Sequence, residues 1–251
     1  MNSTEIERKM VLFSDFDLTL FFREDEVRTE ENIKAIEKWR DNGNQFCIVT
    51  GRSFRSITEH FPKIKDICDY YIVDGGSIVL NKNGELLRAF YFDPTVVAGV
   101  VEFSKSFPEI PATYYYTPNS EDADYKTENV TKLRLWFADV SLLGAMAAKI
   151  REAFPVFAFT LDAGQPTHKA LVGRKGFIEI VPNQFGKSNA ISFLQQEANI
   201  ATSNIVTVGD GLNDYEMVRD FNGFAIKGSE LANDFKDLKT TESISTLISN
   251  L

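Results

Sequence analysis

The chain has 251 residues, enough to bury a sizeable core, either as one large domain or as a core with a smaller one inserted. Lys plus Arg number 27 against 36 Asp plus Glu, a formal net charge of −9, which argues against a broad nucleic-acid or acidic-membrane surface and means that a phosphorylated ligand needs a local positive site. Cys47 and Cys68 imply no disulfide framework, and no apolar run approaches the roughly 20 residues of a membrane span. With a polar start and no export signal visible, the chain is expected to be cytoplasmic, a monomer or weak homodimer, with neither nucleic acid nor membrane as a partner.

The first element, Val11-Leu12-Phe13-Ser14, reads as a buried parallel strand and runs into Asp15-Phe16-Asp17-Leu18-Thr19. On extended backbone, residues i and i+2 face the same side, so Asp15 and Asp17 are expected to share one small volume at the strand's carboxyl end. Two like charges about 4 Å apart repel by roughly 4 kcal/mol at an effective dielectric near 20, so a metal, a lysine or a shared proton must compensate them. A hard divalent cation such as Mg²⁺ suits carboxylate oxygens best.

A charged loop follows, then a helix capped at Thr29, with Ile33, Ile36 and Trp39 at helical spacing and Asn42-Gly43 at its end. Gln45 to Val49 is a second buried strand that delivers Thr50-Gly51-Arg52, and a helix from Ser53 to about Phe61 starts at once. Strand, small-residue turn and helix start is a geometry that aims free backbone N–H groups at an anion. A third strand, Tyr70 to Val73, leads to Asp74-Gly75-Gly76, and strands at Ser77 to Leu80 and Glu85 to Tyr91 flank an Asn-Gly hairpin signal at Asn83-Gly84.

From about Asp93 the pattern changes. A helix opens at Asp93-Pro94 and is followed by strands at Thr113 to Thr117 and Lys132 to Phe137. A second helix, from about Ser141 to Phe154, is followed by strands at Val156 to Leu161, Lys169 to Val172 and Phe177 to Val181. A helix followed by strands, twice over, predicts an α+β module, residues 91–181, inserted in an α/β core made of residues 1–90 and 182–251. The core resumes with a helix opened by Lys187-Ser188, with Ile191, Leu194 and Ala198 inward. A strand at Ile205 to Val208 delivers Gly209-Asp210-Gly211-Leu212-Asn213-Asp214, and a terminal helix spans Ser243 to Leu251.

Three apolar strands thus end in polar turns, which an open parallel sheet lays along one carboxyl edge, where such folds bind ligands. Four aspartates with Lys187 carry a formal −3, which one Mg²⁺ reduces to −1; without the metal the site repels a phosphate. The assembly resembles the haloacid dehalogenase (HAD) superfamily, in particular its Cof-like sugar-phosphatase branch. Asp15-Phe16-Asp17-Leu18-Thr19 matches the first motif, Thr50-Gly51-Arg52 the second, Lys187 the third and Gly209 to Asp214 the fourth, with the insertion where this branch carries its α+β cap. Leu18 stands where many members have Gly, and Asp74-Gly75-Gly76 replaces a frequent Asn-Gly-Ala.

The resemblance implies a Rossmann-like α/β core and a Mg²⁺-dependent phosphatase acting on a small phosphorylated metabolite. In it Asp15 is the nucleophile, Asp17 the general acid and base, and Thr50, Gly51, Lys187 and Asn213 phosphate-binding residues, with Arg52 either beside them or on the surface. The implied metal set is Asp15, Asp17 through its backbone carbonyl, Asp210 and Asp214. A sugar phosphomutase and a non-catalytic phosphate-ligand-binding protein are the alternatives. His60 is expected at a helix end without a catalytic role, whereas His168 is a candidate contact for the leaving group. Lys126, Lys132 and Arg134 are minor candidates.

Overall fold

The computed structural model describes residues 9–108, 110, 112–120, 124–126, 128–137, 139–162, 176–182 and 186–251. They divide into two compact units. The first takes the chain up to Val73, Val79–Leu86 and Lys187–Leu251; the second takes Asp74–Ile78 and Leu87–Gly186.

In chain order the elements up to the second unit are β1 (Val11–Ser14), α1 (Glu26–Asp41), β2 (Gln45–Val49), α2 (Phe54–His60), α3 (Ile64–Ile67), β3 (Tyr70–Val73), β4 (Ile78–Asn81) and β5 (Leu86–Ala89). The second unit adds α4 (Pro94–Lys105), β6 (Ala112–Tyr116), β7 (Lys132–Phe137), α5 (Leu143–Ala153), β8 (Val156–Asp162) and β9 (Gly176–Pro182). The chain closes with α6 (Lys187–Glu197), β10 (Ile205–Gly209), α7 (Tyr215–Asp220), β11 (Asn222–Ile226), α8 (Glu230–Asp234), β12 (Thr240–Thr241) and α9 (Ile244–Ser249).

The larger sheet has the order β12-β11-β10-β1-β2-β3-β4-β5, and β1 lies parallel to both β2 and β10. Helices alternate with its parallel strands, so both faces are covered and β1, β2 and β10 are buried almost throughout. The α/β fold expected from the sequence is the one observed.

Helix α1 begins one turn earlier than the Thr29 cap predicts. Asp25 caps it by accepting from the Arg28 N–H at 2.9 Å, while the buried Thr29 hydroxyl accepts from the Phe22 N–H. Ala198 lies beyond the end of α6 and is exposed, so Ile191 and Leu194 alone carry that helix's predicted inward face. The short α3, α8 and β12 have too few residues for a periodic signal.

In β11, Gly223 is pressed against α7: a Cβ there would stand 2.2 Å from the Val218 carbonyl oxygen. No side chain moves to relieve a clash with backbone, so the site is closed to anything but glycine.

The second unit is a four-stranded antiparallel sheet, order β6-β7-β9-β8, packed with α4 and α5 around Val97, Val100, Leu133, Leu135, Ile150 and Ile178. The strand expected at Lys169 to Val172 lies outside the described residues. Tyr115 packs against this cluster, while Tyr116 on the other strand face is buried with its ring 4.2 Å from the Lys132 ammonium.

Lys132 is wholly buried. Its ammonium meets Asp74 at 2.7 Å and Glu179 at 3.5 Å, and Glu179 also accepts from Arg134, its directly opposed neighbour across β7 and β9. Burial alone would raise the Glu179 carboxyl, but Lys132 and Arg134 outweigh it and hold the group below its usual range. Two carboxylates against two cations make the quartet neutral, so Lys132 and Arg134, minor ligand candidates on the sequence, are engaged inside their own unit.

Gly223→Ala is expected to destabilise the first unit by roughly 1–3 kcal/mol or more through overpacking, read as a lowered Tm. Lys132→Met leaves two buried carboxylates with one cation and is expected to cost about 3–5 kcal/mol in urea unfolding. The exposed Lys105–Glu102 pair sets the comparison, since Lys105→Met should cost under about 1 kcal/mol.

Candidate active site

Strands β1, β2 and β10 run in parallel register, Ser14 level with Ile48 and with Val208, so the turns that leave them emerge side by side. Asp15 follows β1 directly and is buried, its N–H still donating to the Val208 carbonyl at 2.9 Å. Lys187, the first residue of α6, is buried as well. Its ammonium donates to Asp15 Oδ1 at 2.6 Å and to Asp214 Oδ1.

Asp214 Oδ2 accepts the N–H groups of Asp210 and Gly211, both at 3.0 Å, and so folds the turn after β10 around itself. Gly209 makes this possible, since a Cβ there would lie 2.5 Å from the Asp214 side chain. Asp210 accepts from the Thr19 hydroxyl at 2.8 Å, which ties the first motif to the fourth. Thr19 stood within the first motif without a role; a hydroxyl facing a second motif's carboxylate depends on tertiary placement. The Asn213 side-chain oxygen overhangs Gly211, within 2.6 Å of where a Cβ would stand.

Ligand oxygens of Asp15, Asp210 and Asp214 all lie within 4.8 Å of one another. Three carboxylates against one ammonium leave two negative charges, which a single divalent cation cancels. Burial, and after it that excess, shows in the titration of the groups. Burial first, then Asp214 and Asp210, push the Asp15 carboxyl well above its ordinary range despite Lys187. Burial and Asp214 push Asp210 up to about 7. Lys187 is held charged, because Asp15 and Asp214 outweigh the cost of burying it. A buried, hard-oxygen site with two charges in excess fits Mg²⁺.

Asp17 is not in this cluster. Strand β1 ends at Ser14 and the chain bends at Phe16, so the extended backbone that would put Asp15 and Asp17 on one side is absent. The Asp17 carboxylate instead receives Arg52 Nε at 2.6 Å and Nη2 at 2.7 Å. This corrects the formal charge as well: Arg52 offsets Asp17, and the excess is −2 where the sequence count was −3.

Thr50 follows β2 in a buried position, its N–H bonded to the Ile72 carbonyl and its hydroxyl accepting from the Arg52 N–H at 3.1 Å. Gly51 lies between them, and Ser53 caps α2. Leu18 is 60% exposed at φ 57°, a left-handed conformation that accounts for glycine being common there. His60 is the exposed last residue of α2, bonded to the Ser56 carbonyl. His168 lies outside the described residues, and Lys126 is exposed.

The sequence model of the haloacid dehalogenase-like hydrolases matches residues 12–230. The chain belongs to that family. As a HAD-like hydrolase it shares its fold with BT1666 of Bacteroides thetaiotaomicron, described among the phosphatases of the superfamily, at a TM-score of 0.77 and 18% identity over 100% of this chain and 97% of that one. The HAD subclass IIB sugar phosphatase BT4131 superposes with a TM-score of 0.76 at 15% identity, covering 96% of this chain and 97% of that one. An uncharacterized protein of Mycoplasma capricolum is 22% identical over 234 residues, 84% of this chain and 87% of its own. No helix among the described residues is long and apolar enough to cross a membrane.

The raised Asp210 carboxyl sets the sign of a pH effect. A group near 3.8 when unfolded and about 7 when folded binds its proton more tightly in the native state, so stability is lost as pH climbs between those values. The metal-free HAD-like hydrolase is therefore expected to show a falling contribution to Tm between about pH 4 and pH 7, and Mg²⁺ should raise Tm more at pH 8 than at pH 5.

Proposed function

We propose that this HAD-like hydrolase is a Mg²⁺-dependent phosphatase that cleaves a small phosphorylated metabolite, a sugar phosphate by preference, through an aspartyl-phosphate. The observation that carries the reading is the buried Asp15 carboxylate held by Lys187, at the sheet edge where the Thr50-Gly51 turn also emerges.

In this reading Asp15 attacks phosphorus, and the bond to the leaving alkoxide breaks as Asp17 delivers a proton to that oxygen. Asp17 then removes a proton from the water that attacks the aspartyl-phosphate, and inorganic phosphate leaves. The Thr50 hydroxyl, the Gly51 N–H and the Lys187 ammonium hold the phosphoryl oxygens, donors that gain strength as charge develops on them. Asn213 orients the phosphate beside the turn. Asp15, Asp210, Asp214 and the Asp17 carbonyl would hold Mg²⁺, which supplies neutralisation of phosphoryl charge. Residues 91–181 are assigned the role of a cap that selects the leaving group.

The test is phosphate release from a panel of sugar and other metabolite phosphates, with Mg²⁺ and with EDTA. Metal-dependent release is expected, with Asp15→Asn abolishing turnover and Lys187→Ala lowering kcat by about 10²–10³-fold. Wild-type rate in Asp15→Asn would remove Asp15 as nucleophile. An isomeric sugar phosphate in place of inorganic phosphate would identify a mutase.

A further inference from the structure

We propose that Arg52 is a positioning residue that works through Asp17, aiming its carboxylate, and is not a ligand of the phosphoryl group. The inference rests on the phosphatase reading and adds to it the element that sets the direction of the general acid.

Asp17 needs such a partner. It lies past the end of β1 and past the bend at Phe16, its side chain is 46% exposed, and it has left the carboxylate cluster that fixes Asp15, Asp210 and Asp214. Nothing in the strand itself would hold its rotamer. Arg52 supplies two parallel N–H donors, one to each carboxylate oxygen, at 2.6 and 2.7 Å. A paired fork fixes both the position and the plane of a carboxylate, which a single point donor does not.

The guanidinium is itself held in place. It lies 5.5 Å over the Phe16 ring, which stacks on Phe21 at 5.3 Å and tilts against Phe61 at 5.9 Å. At the backbone, the Arg52 N–H donates to the Thr50 hydroxyl. The residue that fixes the acid is thus rooted in the turn assigned to the phosphate, so the acid and the phosphoryl site are referenced to one another.

The chemistry is compatible with the fork. An ionised carboxylate offers about four lone-pair positions, and two guanidinium bonds leave one on each oxygen. Asp17 can therefore carry a proton to the leaving alkoxide as the P–O bond breaks, and take one from the attacking water, with the fork unbroken. The two donors that form the fork are occupied by Asp17, so a phosphoryl oxygen could meet only the guanidinium's other N–H groups, and titration with phosphate decides whether it does.

Two esters separate the roles. The nitrophenolate of p-nitrophenyl phosphate departs without a proton, whereas the alkoxide of glycerol phosphate needs one. With Mg²⁺ present, Arg52→Ala is expected to lower kcat on glycerol phosphate by about 10²-fold with KM changed by less than about threefold, while single-turnover release of nitrophenolate, the one step that needs no proton from Asp17, changes by less than about threefold. In an Asp17→Asn background the same substitution should add nothing, and Arg52→Lys should recover little because it lacks the fork.

Equal losses in single-turnover release from both esters with a raised KM, or fully additive losses in the double variant, would overturn the proposal. Calorimetric titration with inorganic phosphate decides the point without turnover. An unchanged Kd in Arg52→Ala supports it, and weakening of about tenfold or more makes Arg52 a phosphate ligand. Wild-type inactivity on every ester would remove the phosphatase reading, and the titration would still report on Arg52.

Discussion

The buried ammonium of Lys187, shared between Asp15 and Asp214, is the contact on which the rest of the first unit's site depends. It gathers one residue from the end of β1, one from the start of α6 and one from the turn after β10. A buried ion pair is a poor source of net stability, because taking both partners out of water costs several kcal/mol each. Its value here is placement: Asp214, fixed by Lys187, in turn binds the N–H groups of Asp210 and Gly211 and shapes the loop that carries Asp210.

The two units treat buried charge differently, and the difference separates structure from chemistry. In the second unit Lys132, Arg134, Asp74 and Glu179 cancel one another, and the cross-strand Arg134–Glu179 pair sits in register within the sheet. In the first unit three carboxylates face one ammonium, and burial, with the neighbouring carboxylates adding to it, drives the Asp15 and Asp210 carboxyls upward. An uncompensated buried charge is costly to keep, and the proposed cation and phosphoryl ligands would offset that cost.

Backbone conformation makes the same distinction. Asp74, Gly75 and Gly76 all have positive φ, and Gly76 at 101° is outside what a residue with a side chain readily adopts. The departure from Asn-Gly-Ala at this turn is therefore conformational. Asp74 tolerates its left-handed geometry as Asp often does, and its carboxylate is spent on Lys132.

The sequence by itself determined the elements that have a strong local signature. The apolar runs of β1, β2, β3 and β10 announced a parallel sheet because strands covered on both faces must be apolar throughout. The four motifs announced the family, and their order along such strands announced a common edge. Local patterning failed where the signal was short or rested on assumed geometry: α3 and α8 span barely a turn, Asp25 outcompeted Thr29 as the cap of α1, and the bend at Phe16 separated two aspartates that an extended strand would have joined. Only the tertiary structure decided which charges meet. Arg52 is 35 residues from Asp17 and Lys187 is 172 from Asp15, and no periodicity records a pairing made when distant strands align. That is why the candidate site's residues could be named one by one from their motifs, while its net charge and the partner of its proposed acid emerged from the fold.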